Sequence, residues 1–425
     1  MLLIYSLALY VAVPIACLGM LLRSVREPQY RRGFASRFGL GGSLAGDTLW
    51  IHAASVGEVH AAESLVRSLL SAHPDMRLAL TTMTPAGLER VRALFGTEVD
   101  ARLIPFDLPG AAARFLRRVR PRAAVILETE LWPNLYRACN HLGIPILIAS
   151  ARLSETSMHR YRRFAALGRA LFAGDVRIAA QSEQDVRRFI AIGADPARTS
   201  VTGNLKYDFT LPSGVLDRGA ELRARYAPGR PLWVAGSTHA GEEAQLLQSH
   251  RSVLATHPNA VLALAPRHRD RFAAVADWLE RERMPFLRHS AGAAATQNAN
   301  IVLVDTLGEL LMFYAASDVS FVGGTLVPVG GHNLLEPAAL ARPVLIGPYY
   351  ANTGEIARQL LAAGALEVIA DAPSLTRSLL RVLGNSALRE RAGAAGREVI
   401  EANRGALQKV LAVMEALLTD RNAAL

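Results

Sequence analysis

The sequence predicts an α/β protein made of two doubly wound halves behind one apolar N-terminal helix. Three observations carry this. Residues Leu2 to Leu22 contain no charged side chain. From Leu49 onward, short apolar runs alternate with amphipathic stretches of helical spacing. The alternation restarts after Leu211-Pro-Ser-Gly214, which describes two sheets rather than one.

The first element reads as a retained membrane anchor over residues 1–22. From Leu2 to Leu22, at ~1.5 Å per residue, the run covers about 31 Å, close to the ~30 Å apolar core of a bilayer. Pro14 can kink such a helix without forbidding it. Arg23, Arg26, Arg31, Arg32 and Arg37 follow at once, and the positive-inside bias then puts the rest of the chain in the cytoplasm. A cleaved signal peptide carries its basic residues before the apolar run, not after it. A helix lying in the membrane plane is the other alternative.

In the first half, strands are predicted near 49–55, 77–83, 101–106, 123–129, 145–150 and 176–181. Runs such as Ala123-Ala-Val-Ile-Leu127 suit a parallel sheet covered on both faces. In the second half they are predicted near 232–237, 260–265, 301–305, 319–323, 344–347 and 366–369. The expected domains are 23–208 and 209–425. Residues 386–419 read as helix, and periodicity does not say which half they pack against. In open sheets of this kind ligands bind beyond the carboxyl ends of the strands. Two such domains facing each other make a cleft.

Composition narrows the function. Of 425 residues, 51% are hydrophobic and 20% charged, which excludes a disordered chain. A mean hydropathy of +0.19 is too low for a multi-span transporter. Two cysteines, Cys17 and Cys139, make neither a disulfide framework nor a cysteine zinc site. The net charge of +10 is uneven. Residues 1–208 hold 26 basic and 17 acidic side chains, whereas 209–425 hold 21 and 20. The first half is thus expected to meet an anionic partner. Lys206 and Lys409 are the two lysines in the chain, a scarcity that points to a specific need for a compact ammonium at Lys206 or is chance. No DxD occurs and no His, Asp or Glu group has ligand spacing, so no metal and no cofactor is expected. The arginines Arg114, Arg117, Arg118, Arg120 and Arg122 lack interleaved aromatics, which argues against nucleic acid.

Several clusters fall just after predicted strands. In Ala53-Ala-Ser-Val-Gly-Glu-Val-His60, Glu58 sits in the first turn of a helix. It can serve the helix dipole, or act as a base if burial raises its pKa. In Glu128-Thr-Glu130-Leu-Trp-Pro-Asn134, strand alternation sends the two carboxylates to opposite faces. Gly203-Asn-Leu-Lys206-Tyr-Asp208 is either turn chemistry or an anion site. Ala235-Gly-Ser-Thr-His-Ala-Gly-Glu242 resembles a small phosphate-cradling turn. Pro266-Arg267 suits a phosphate contact, and Leu307-Gly308-Glu309 can offer backbone groups to a base. The most distinctive stretch is Phe321-Val-Gly-Gly-Thr-Leu-Val-Pro-Val-Gly-Gly-His-Asn333-Leu334-Leu335-Glu336-Pro337. There Asn333 can cap a helix and Glu336 can accept ribose hydroxyls.

Taken together, the chain resembles the bacterial 3-deoxy-D-manno-octulosonic acid (Kdo) transferases of lipopolysaccharide synthesis over its whole length. The resemblance rests on the N-terminal anchor, His52-Ala-Ala-Ser-Val-Gly-Glu58, Glu128-Thr-Glu-Leu-Trp-Pro133, Gly203-Asn-Leu-Lys-Tyr-Asp208 and Gly330-Gly-His-Asn-Leu-Leu-Glu-Pro337. It implies the GT-B arrangement, with a Rossmann-like acceptor domain and a Rossmann-like domain for the donor CMP-Kdo. It implies a tetraacylated, bisphosphorylated lipid A precursor as acceptor, on the inner leaflet of the cell inner membrane. It also implies Glu58 as general base, with Glu130 and Lys206 as transition-state stabilisers. Pro266, Arg267, Leu307, Gly308, Glu309, Asn333, Leu334, Leu335 and Glu336 would bind CMP. The expected acceptor surface includes Arg152, Arg160, Arg162 and Arg163. Two rival readings are a membrane-associated GT-B enzyme using a uridine nucleotide and a noncatalytic membrane scaffold.

Overall fold

The structure, a computed structural model, describes residues 1–163, 168, 170–294 and 299–424. The chain divides into two compact units. One comprises Met1–Phe209 with Asn403–Leu425, and the other Thr210–Ala402.

The first unit is built on seven parallel strands: β1 (Thr48–His52), β2 (Arg77–Thr82), β3 (Val99–Leu103), β4 (Pro121–Leu127), β5 (Ile146–Ala151), β6 (Val176–Ala180) and β7 (Thr199–Val201). Their order is β3-β2-β1-β4-β5-β6-β7. Strand β4 is the apolar run noted in the sequence, and its last five residues are buried. Alternate side chains of the sheet enter two cores. Trp50, Ala124, Ile126 and Ile148 lie in one, Leu49, Ile51, Val125 and Leu147 in the other. The covering helices start where the sequence permits. Ser55 and Thr84 cap two of them, and prolines open those at Pro85, Pro109 and Pro133.

The second unit repeats the plan. Its strands are β8 (Leu232–Thr238), β9 (Val261–Pro266), β10 (Phe286–Arg288), β11 (Ile301–Leu303), β12 (Val319–Val322), β13 (Val344–Ile346) and β14 (Leu366–Val368). All seven are parallel, in the order β10-β11-β9-β8-β12-β13-β14. Each sheet therefore has one point where the winding reverses: between β1 and β4 in the first, between β8 and β12 in the second. Loops leaving the carboxyl ends of the two strands at such a point diverge and leave a crevice for ligand.

The C-terminal segment is helical as expected, but the bound of the second domain needs correction. The terminal segment is two helices, Ser386–Ala402 and Ala406–Ala424, separated at Gly405, whose φ of +96° suits glycine. The second of them belongs to the first unit, so the second domain does not run from 209 to 425. Val410, Met414 and Leu417 are fully buried against Leu49 and Ile51. Asp208 fixes the start of that helix by accepting hydrogen bonds from the N–H groups of Gly405 (2.7 Å) and Leu407 (2.6 Å). A carboxylate there also complements the positive end of the helix.

Candidate active site

In the first unit the loops after β1 and β4 carry three carboxylates, Glu58, Glu128 and Glu130, and the turn after β7 brings the Lys206 ammonium to Glu128. The helix Val56–Ala72 begins at Ser55, whose hydroxyl accepts from the Glu58 N–H at 3.3 Å. The Glu58 carboxylate turns back to accept from the Ala54 N–H (2.8 Å) and the Ser55 hydroxyl (3.0 Å). This reciprocal cap pins the side chain at the end of β1. Burial pushes the Glu58 pKa up, and the charge of Glu128 pushes the same way. The two hydrogen bonds and the Lys206 charge oppose them without cancelling the rise.

After β4 the strand stops at Leu127, and Glu128 adopts a left-handed backbone with φ +57°. Strand alternation therefore does not apply to Glu128 and Glu130. Burial first, and then the Glu58 charge, raise the Glu130 pKa to about 7. A left-handed backbone at a non-glycine residue costs about 1–3 kcal/mol and persists only where its surroundings hold it. Here the Glu128 N–H donates to Ala149 O, and the Glu128 carboxylate lies 2.6 Å from Lys206 Nζ.

Lys206 is held by a network at the ends of β5 and β6. Asn204 accepts from the Lys206 N–H at 3.0 Å. The Asn204 amide donates to Gln181 Oε1, and the Ser150 hydroxyl lies within 3.3 Å of Asn204 Oδ1. Ser150 is itself left-handed (φ +53°), and its hydroxyl accepts from the Leu205 N–H. Ser150 and Gln181 escaped the sequence reading, because a lone polar residue at the end of an apolar strand carries no pattern. His52 is fully buried, with its pKa pushed down to about 3 by burial and its ring nitrogen on Thr81. It supports the sheet.

In the second unit the crevice lies between β8 and β12. Pro266 ends β9, and the exposed Arg267 follows it, its N–H donating to Thr238 O. Leu307 is exposed, Gly308 has φ +86°, and Glu309 Oε2 lies 3.2 Å from His289 Nε2. The loop after β12 runs through Gly323 and Gly324 to Asn333. A Cβ on Gly323 would meet Ser237 O at 2.5 Å, so only glycine lets the two loops approach. Asn333 accepts from the Leu335 N–H (3.0 Å) and donates to Glu336 Oε1 (3.1 Å), which joins the two residues that the sequence singled out. Burial raises the Glu336 pKa.

Two features of this loop were not foreseen. Glu242, fully buried, accepts from four backbone N–H groups: those of His239, Gly324, Thr325 and Leu326, at 2.8–3.0 Å. The turn read as a phosphate cradle thus ends in an anion that already fills the neighbouring N–H nest. His239 and His332 also stack, with ring centroids 5.0 Å apart and Nε2 atoms 2.7 Å apart. Burial and the nearby Arg267 push the His332 pKa down to about 4.

Residues 31–209 match the family model described as 3-deoxy-D-manno-octulosonic-acid transferase (kdotransferase). The chain is 41% identical to the 3-deoxy-D-manno-octulosonic acid transferase of Haemophilus influenzae, over 98% of this chain and 99% of that relative. The chain belongs to the Kdo transferase family. The Kdo transferase of Bordetella pertussis is 36% identical over 97% of this chain and 98% of its own length. Membership makes the chain a glycosyltransferase of lipopolysaccharide biosynthesis. Among solved structures, the UDP-GlcNAc 2-epimerase of Neisseria meningitidis superposes with a TM-score of 0.58 at 12% identity, over 87% of this chain and 100% of that one. A glycosyltransferase from Rickettsia africae gives 0.56 at 13% identity, over 89% and 99%. These likenesses establish the fold of the Kdo transferase as GT-B type.

Proposed function

We propose that this Kdo transferase moves Kdo from CMP-Kdo to a hydroxyl of a tetraacylated, bisphosphorylated lipid A precursor, with inversion at the anomeric carbon. The unit containing β1–β7 takes the acceptor, and Pro266, Arg267, Leu307, Gly308, Glu309, Asn333, Leu334, Leu335 and Glu336 hold CMP. The observation that carries the mechanism is the Glu58 carboxylate. It is fixed by Ala54 and Ser55 at the strand end where the winding reverses, and its raised pKa makes it a better base.

The acceptor hydroxyl loses its proton to Glu58 as its oxygen bonds to the anomeric carbon of Kdo. The bond from that carbon to the phosphate oxygen breaks, and CMP leaves with the electron pair. Lys206, held on Glu128, supplies positive charge to the transition state, and Arg267 lies on the donor side. Glu130, its pKa raised to about 7 by burial and the Glu58 charge, can carry a proton near neutrality. In that form it donates a hydrogen bond to developing charge. The same pKa supports a second reading, in which Glu130 is the base.

The enzyme works on the cytoplasmic face of the inner membrane, held there by the helix Leu2–Arg26, which is long and apolar enough to cross a bilayer. The exposed Arg152, Arg160, Arg162 and Arg163 attract the acceptor phosphates. The test is product mass analysis. Purified enzyme receives lipid A precursor and CMP-Kdo generated in situ, with Glu58→Gln and Glu130→Gln alongside. A gain of whole Kdo units, lost in Glu58→Gln, supports the assignment. Activity retained in Glu58→Gln and lost in Glu130→Gln transfers the base role to Glu130. Turnover with a uridine donor instead refutes the donor assignment.

A further inference from the structure

We propose that the helix Leu2–Arg26 lies in the plane of the membrane, latched along one face to the first unit, and does not span the bilayer. The proposal deepens the membrane-associated reading above and rests on it.

The contacts of the helix follow one stripe. Tyr5, Ser6, Leu9, Val13 and Cys17 are wholly or partly buried, at helical spacing. Val13 packs with Leu108 and Ala111, and Leu9 and Cys17 join that cluster with Phe38 and Phe106. At the N-terminal end the contacts are polar and specific. The Tyr5 hydroxyl donates to Asp107 Oδ2 at 2.9 Å, and the Ser6 hydroxyl to Asn134 Oδ1 at 3.0 Å. Asp107 and Asn134 are both buried. Asp107 also accepts from the N–H groups of Asn134 (3.0 Å) and Leu135 (2.7 Å), and so caps the helix Pro133–His141. That helix follows directly on the loop carrying Glu128 and Glu130.

A spanning helix is incompatible with this latch. Tyr5 stands about 27 Å along the axis from Arg23, at 1.5 Å per residue. If Arg23 sat at the cytoplasmic surface, Tyr5 would reach the opposite leaflet, and Asp107, inside a folded domain, could not accompany it. Detaching the helix would take the Tyr5 hydroxyl from Asp107 and the Ser6 hydroxyl from Asn134, and would expose the Val13 contact. In-plane placement keeps every contact. It also explains why the helix is apolar nearly all round. Its protein side meets Leu108 and Ala111. Its other side, with Leu3, Ile4, Val11, Ile15 and Leu18 each at least 60% exposed, meets acyl chains. Arg23 and Arg26 close the helix at headgroup depth. The latch thereby holds the bilayer surface beside the carboxylate loop, where a lipid-borne hydroxyl has to arrive.

The test is crosslinking of the full chain in membrane vesicles of native phospholipid. Ser6→Cys/Asn134→Cys and Val13→Cys/Ala111→Cys are made in a background with Cys17→Ser and Cys139→Ala. A short thiol-specific bifunctional reagent is added, and intramolecular bridging is read by mass spectrometry. The in-plane helix bridges in at least one pair, while Leu3→Cys/Asn134→Cys stays open, because Leu3 faces lipid. The Val13 pair guards against loss of the Asn134 contact in the first variant. No bridge in either pair, with the chain folded and membrane-bound, overturns the proposal. So does bridging in detergent that disappears in vesicles. Kdo transfer is assayed in the same vesicles. Its absence alongside an intact bridge strikes the functional assignment and leaves the helix placement standing.

Discussion

Glu242→Gln isolates the carboxylate that fills the N–H nest of the loop after β12. Glu242 Oε2 accepts from the N–H groups of His239 and Gly324, and Oε1 from those of Thr325 and Leu326. Glutamine preserves the shape and one acceptor oxygen, but its NH2 group faces two donors. Two buried N–H groups are then orphaned at about 1–3 kcal/mol each, a loss of roughly 2–6 kcal/mol localised to this loop. At 1.36 kcal/mol per decade, even the lower bound accelerates local opening by about 30-fold. Hydrogen exchange read by mass spectrometry on peptides covering 236–243 and 321–329 measures this directly. Peptides from β1–β7 serve as the internal reference. On the proposed CMP-binding role of Asn333 and Glu336, which follow on the same loop, the KM for CMP-Kdo rises in parallel. Exchange within about threefold of wild type, with KM unchanged, would refute the reasoning and reduce Glu242 to a passive occupant.

The other predictions concern the first unit. Glu58→Gln lowers kcat by about 10²–10⁴-fold, the usual contribution of a general base, and a loss under tenfold in single-turnover kinetics counts against the role. Glu130 is protonated more readily in the folded chain, about 7 against 4.5. Its contribution to stability is full below about pH 4.5 and is lost as pH rises to about 7. Glu130→Gln therefore raises the Tm relative to wild type at pH 8 and changes it little at pH 4.5; equal shifts at both pH values contradict this. Lys206→Met removes a charge that lowers the Glu58 pKa, so the acidic limb of the kcat/KM profile moves to higher pH, beyond any fall in kcat itself. Asp208→Ala costs about 1–2 kcal/mol, as losing a helix cap does, and limited proteolysis near residue 405 detects the loosened helix.

Much of the architecture was legible because parallel strands buried on both faces leave continuous apolar runs. Ala123 to Leu127 is one, and Leu262 to Ala265 another. The two strands that escaped, β7 and β10, are three residues long, at sheet edges and partly exposed, so neither leaves such a run. Within the candidate site, local contacts were legible: Asn333 and Glu336, three positions apart, are joined by a hydrogen bond. The site was illegible where the backbone leaves its regular path. Alternation sent Glu128 and Glu130 apart, and the left-handed turn at Glu128 removes the premise of that argument. The placement of the final helix depends on Asp208, about 200 residues away in the chain. No local pattern carries such a contact.

The return of that helix also orders events during synthesis. The unit Thr210–Ala402 is continuous, so it can finish folding as soon as it clears the ribosome. The first unit cannot. Until residues past Ala406 emerge, the groove over Leu49 and Ile51 lacks Val410, Met414 and Leu417, and an apolar trough lies open through the making of some two hundred residues. A ribosome stalled between those two points would present a chaperone with a sheet bare along one stripe, beside an N-terminal helix already seeking lipid.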